Sequence, residues 1–133
     1  PPAPAARPAP VPPTAAPRGL LAPETPRSLA QLRQQAAQRI VAANPGRTYG
    51  GRPPDVLLAI PVLEVELHAD GSIRRIEVLR EPRQAKDTIQ LAIDAVRRAA
   101  PFGDVSRLPR PWKFTETFLF DDDRRFKPRT LEP

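Results

Sequence analysis

The sequence predicts an α+β fold: a three-stranded antiparallel or mixed sheet in the order 2-1-3, a helix packed on one face, an additional N-terminal helix, and a Pro-rich N-terminal tail. Three observations carry this expectation. Ten of the 20 prolines fall within the first 26 of the 133 residues, so the chain divides into a tail and a domain. Apolar residues then recur at spacings of three and four in two segments and alternate with polar residues in three others. An Asp-Gly pair separates the first two alternating segments, the pattern of a tight hairpin.

Residues 1–27 hold proline, alanine and arginine with few large apolar side chains. Proline fixes φ and blocks helix formation, so an extended polyproline II tether is expected there. At about 3.1 Å per residue it would span roughly 80 Å. The domain is expected over 28–133, with an extra helix at 28–43 and a core at 57–121.

Ser28 is a suitable N-cap for a helix reaching about Ala43, with Leu29, Leu32, Ala36, Ile40 and Ala43 as its apolar stripe. Gln31, Arg33, Gln34, Gln35, Gln38 and Arg39 fall on the other faces, and Asn44-Pro45-Gly46 stops the helix. In the first strand, Leu63, Val65 and Leu67 alternate with Glu64, Glu66 and His68. The turn Ala69-Asp70-Gly71-Ser72 leads into a return strand from Ile73 to Arg80. A second helix is expected from about Lys86 to Ala100, with Ile89, Ala92, Ile93, Val96 and Ala100 facing inward. The last strand, about Trp112 to Phe120, puts Phe114, Glu116, Phe118 and Phe120 on one face and Thr115, Thr117 and Leu119 on the other. Asp121-Asp122-Asp123 and the basic tail after them read as too polar to extend the core.

A helical crossover makes the third strand parallel to the second, so the first strand, antiparallel to both, belongs in the centre. The second helix covers one face. The first shields the other face or packs at an edge, and the second and third strands are left as open edges.

The lack of cysteine excludes a disulfide framework, a thiolate nucleophile and a Cys-ligated zinc site. The charge of +6 is spread among acids rather than gathered with aromatics, which argues against nucleic-acid binding. No stretch approaches the roughly 18–20 apolar residues that cross a bilayer. The chain opens on Pro1-Pro2 rather than methionine, from which a fragment or processed form is expected, with a targeting or anchoring segment upstream. His68, the single histidine, sits beside a turn, and Asp121–Asp123 lack the spacing of a calcium loop. With no phosphate loop and no nucleophile–base set, neither an enzyme nor a cofactor is expected.

Three motifs in order resemble the TonB C-terminal domain family. The hairpin Val65 to Leu79 is similar to the family's first hairpin, Ala95-Val96-Arg97-Arg98-Ala99-Ala100-Pro101-Phe102 to its helix end, and Phe114 to Phe120 to its closing strand. Where family members carry a Gln-Pro-x-Tyr-Pro stretch, this chain reads Asn44 to Gly51 with Tyr49 alone. The resemblance implies a periplasmic protein of the cell envelope, tethered to the inner membrane. Its domain would bind an outer-membrane receptor or envelope protein by β-strand addition, for transport driven by an energy-transducing complex. ExbB/ExbD-like inner-membrane proteins would be met through a more N-terminal segment. A TolA-like or secretion-system structural adaptor without energy coupling is the alternative. The edge expected to bind is the third strand: Lys113, Phe114, Thr115, Glu116, Thr117, Phe118, Leu119 and Phe120. Open edges also allow self-association.

Overall fold

The computed structural model describes residues 20–133, so the polyproline II expectation for residues 1–19 lies outside it. Ser28 caps α1 (Leu29–Ala42) by accepting a hydrogen bond from the Gln31 amide at 3.0 Å. The buried stripe of α1 is Leu32, Ala36, Ala37, Arg39 and Ile40. Leu29, expected in that stripe, is exposed, because burial begins one turn further in. Arg39, expected among the polar faces, is buried: its guanidinium donates to the Ala99 carbonyl at 3.1 Å and the Leu21 carbonyl at 2.6 Å. A long charged side chain can lie in a core when its guanidinium finds carbonyls to donate to.

The bond from Arg39 to Leu21 is half of a clamp on the segment leading into α1. Gln35 supplies the other half, donating to the Glu24 carbonyl, and Pro26 is buried beneath. Gly103 explains how close the segment lies, because a Cβ at that position would run into the Glu24 carbonyl.

The second helix, α2 (Asp87–Ala99), buries Thr88, Ala92, Ala95, Val96 and Ala99. Its face is turned slightly from the expected one, leaving Ile89 and Ile93 half-buried. Asn44 staples the two helices. Its amide donates to the Ile40 and Ala95 carbonyls at 2.7 and 3.0 Å, and its oxygen accepts from Arg98 Nη1 at 3.0 Å.

Four strands form the sheet: β1 (Val62–Leu67), β2 (Ile73–Arg80), β3 (Lys113–Phe120) and β4 (Phe126–Pro128). Their order is β2-β1-β3-β4, with every neighbouring pair antiparallel. The expected 2-1-3 order holds, with β1 central and β2 and β3 parallel but apart. Two corrections follow. A fourth strand exists in the tail that reads as too polar, because Phe126 and Pro128 turn inward while the ammonium of Lys127 is taken up by the Gly51 carbonyl and the Glu132 carboxylate. And α1 does not shield the far face, since its stripe enters the same core as α2.

That core takes Leu63, Val65 and Leu67 from β1 and Phe114, Phe118 and Phe120 from β3. Phe102 meets Phe114 edge-on with ring centres 5.1 Å apart, and Phe126 meets Phe118 at 5.2 Å. The hairpin turn is set by Asp70, whose carboxylate accepts from the Ser72 amide at 2.9 Å, and by Gly71 at φ +88°. The turn is docked as well as tight. The Phe102 amide donates to the Gly71 carbonyl at 2.8 Å, and the Val105 amide to the Ala69 carbonyl at 2.9 Å.

Candidate functional site

Binding by strand addition needs unpaired backbone groups along a sheet edge. β3 does not supply a full one. On one side Lys113–Thr117 pair with Glu66–Val62, and Phe120 makes a further bridge to Ala59. On the other side Phe118, Leu119 and Phe120 pair with Pro128, Lys127 and Phe126 of β4. Beyond β4 the sheet is capped again: the Phe126 amide donates to the Arg47 carbonyl at 3.0 Å and the Tyr49 amide to the Phe126 carbonyl at 3.2 Å. The expectation of an open edge at residues 113–120 is corrected for Phe118–Phe120; along Lys113–Thr117 no strand among the described residues pairs with the outer side of β3. β3 is an inner strand wherever β4 reaches it.

The side chains of β3 are equally committed. Phe114, Phe118 and Phe120 are core, Leu119 is buried, and Thr115 and Thr117 are half-buried on the far face. Lys113 reaches Glu64 at 3.3 Å. Tyr49 donates its hydroxyl to the Leu119 carbonyl at 2.9 Å, and burial, together with Asp121 and Glu132, raises its phenol pKa.

Glu116 is the unusual member. It is 1% exposed on the phenylalanine face. One carboxyl oxygen accepts from the Thr117 and Thr130 amides at 3.0 and 3.2 Å, and the other has no partner. Thr130 belongs to a 3-10 turn (Arg129–Leu131) after β4, so this carboxyl ties the tail to β3. Burial raises the Glu116 pKa, partly opposed by the two amide bonds and by the charge of Arg33. The fold then binds a proton more tightly than the unfolded chain does. The contribution of this carboxyl to stability is therefore full below the ordinary glutamate value of 4.5 and is lost as pH rises through the raised folded value. Glu116→Gln, which holds the side chain neutral, should remove that component. Melting temperatures of both proteins across mildly acidic to neutral pH test this, and parallel profiles would show that Glu116 titrates normally.

β2 is the strand left open along its whole length. Among the described residues no strand pairs with its outer side. Two register shifts frame it. One lies between Glu66 and Leu67 of β1 and leaves Arg74 as an extra residue, and the other lies between Val62 and Leu63 and does the same for Leu79. Such bulges blunt the ends of an edge and leave a regular stretch, Arg75–Val78, between them. Ile76 and Val78 point to the helix-covered face, opposite Val65 and Leu63 of β1, while Arg75 and Glu77 lie on the far face opposite Glu66 and Glu64.

Near one end of this edge a shallow groove is lined by Glu66, His68, Arg74, Arg110 and Trp112. Arg110 stacks on Trp112 with its guanidinium carbon 4.5 Å from the ring centre, and Trp112 donates to the Leu108 carbonyl. His68 is exposed at its rim. Glu66 holds Arg74 at 3.3 Å and Arg75 at 3.6 Å, so the two glutamates of β1 serve as anchors for basic side chains. Among the described residues no group of three or more acids or histidines could hold a metal ion, and no helix is long and apolar enough to cross a membrane.

No family model matches the chain, and neither a curated protein nor a solved structure matches it.

The open β2 edge agrees with the sequence expectation, and what sequence reasoning missed is β4, which covers Phe118–Phe120 of the other one.

Proposed function

We propose that this domain is a TonB-like binding module of the periplasm, one that takes an extended segment of an outer-membrane partner onto the β2 edge. The Pro-rich residues 1–27 would tether it toward an inner-membrane energy-transducing complex. The observation that carries this reading is the free, regular stretch Arg75–Val78 on an edge strand open along its whole length, while β4 covers the β3 side over Phe118–Phe120. The hairpin–helix–strand order around a central β1 supports it, as does the long Pro-rich tract in front. Backbone pairing would supply affinity. The basic surroundings, Arg74, Arg75 and Arg80, would favour a segment with acidic character.

The test is a titration of the isotopically labelled 133-residue chain with synthetic N-terminal peptides of outer-membrane receptors, followed by amide shifts. Shifts concentrated on Ile73–Arg80 are expected. Shifts confined to Lys113–Thr117 would return the site to β3, and no shift with any such peptide would sink the reading.

A further inference from the structure

A bare strand edge can pair with any extended chain, including an identical one. What selects among partners is the side chains that would stand opposite each other across the new ladder. In antiparallel pairing, directly opposed residues share a face of the sheet, so the possible self-pairings of β2 are few.

Centring the pairing on Arg75 sets that guanidinium against its own copy, and centring it on Glu77 does the same for the carboxylate. Both put like charges face to face. Centring on Val78 leaves Glu77 against the bulged Leu79. Centring on Ile76 does something different. Arg75 of each copy then stands opposite Glu77 of the other on the far face, and the two Ile76 side chains meet on the helix-covered face.

The charges are placed for this. Within one molecule Glu77 stands opposite Glu64, a like-charge pair, and Glu64 is held by Lys113 at 3.3 Å. Arg75 reaches Glu66 at 3.6 Å and Glu77 at 3.8 Å, both too long for a strong charge-assisted hydrogen bond, and its side chain is 66% exposed. Arg75 and Glu77 are thus engaged only by long ion pairs. A second copy supplies a partner for both at once.

We propose that β2 pairs antiparallel with β2 of a second copy about a two-fold axis through Ile76. The two four-stranded sheets then become one continuous sheet with all the helices on the same face. The regular stretch is only Arg75–Val78, so the pairing is of the weak, reversible class. This rests on the reading of β2 as the working edge and gives it a resting state: each copy shields the edge of the other until a partner segment displaces it.

Sedimentation equilibrium of the full 133-residue chain, from about 10 µM to about 1 mM, should show mass rising from monomer toward dimer. Glu77→Arg should weaken association at least about tenfold, because arginines then face each other across the axis. It should not lower the melting temperature, since it replaces the Glu64–Glu77 repulsion with an attraction. Arg75→Glu should weaken association to a similar degree, while Glu66 keeps Arg74 at 3.3 Å. An equimolar mixture of the E77R and R75E proteins should associate again, because an all-basic edge then meets an all-acidic one.

A wild-type chain that stays monomeric throughout, or a mixture no better than its components, would overturn the proposal. The outcomes separate it from the peptide-binding reading. Receptor peptides that shift β2 of the E77R monomer while the wild type never dimerises leave that reading standing and this one refuted. Charge-swap rescue without any peptide shift does the reverse.

Discussion

Gly71→Ala should destabilise the domain by about 3–4 kcal/mol, read as the loss in urea unfolding free energy. Two costs add. The residue sits at φ +88°, where a Cβ costs about 1–2 kcal/mol. The added methyl would also fall among the backbone atoms of Gly103, which cannot rotate away as a side chain could. Hairpin and loop must then separate, loosening the bonds from the Phe102 and Val105 amides at about 1 kcal/mol each. Gly46→Ala is the control. It has φ +77° and nothing within 4 Å of a new Cβ, so it should lose only the conformational part. Equal losses at the two positions would show that the docking of the turn contributes nothing.

Phe126→Ala should cost about 3–5 kcal/mol, the usual range for removing a buried phenylalanine. Phe126 is 2% exposed, packed edge-on against Phe118 with Phe120 at 5.5 Å. The distribution of the loss is as informative as its size. Without this anchor β4 should leave the sheet, so amide exchange should accelerate at Leu119 and across Arg125–Thr130 before it does in β1. A loss spread evenly over the domain would mean that β4 and the core unfold together. If β4 does leave, the variant exposes the other border of the sheet, and receptor peptides should then shift β3 as well as β2.

The hairpin, α2 and the central place of β1 were legible because each rests on local pattern: strict alternation, an Asp-Gly turn, and a helical stripe ending at a proline. Glu116 was assigned to the correct face by the same alternation. Its partners were not legible, since one is the amide of Thr130, fourteen residues along the chain. Arg39 was misplaced because its charge was weighed and the two carbonyls that would receive it could not be foreseen. The position of α1 was open for a similar reason. A narrow stripe shows that a helix must dock but not on which face of a sheet.

The missing β4 had the largest consequence. Three residues are too short a run for periodicity to register, and the turn before it is built from charged groups. Asp121 accepts from the amides of Asp123 and Arg125, and Arg124 takes φ +59° while binding Asp87 at 2.7 Å. Without that strand the sheet has two open borders, and the more aromatic one attracts attention. With it, the β3 border is covered over Phe118–Phe120, and β2 is the edge that stays open from end to end.

The clamp on the segment before α1 decides how the domain would bear load. Tension arriving at Leu20 reaches the Arg39 bond at Leu21 first and the Gln35 bond at Glu24 second, two contacts separated by one helical turn. Leu20 itself packs against the core and Pro26 is buried, so the segment is held by side-chain burial as well as by these two bonds. Tension at the entry would thus be shared between hydrogen bonds and apolar contacts.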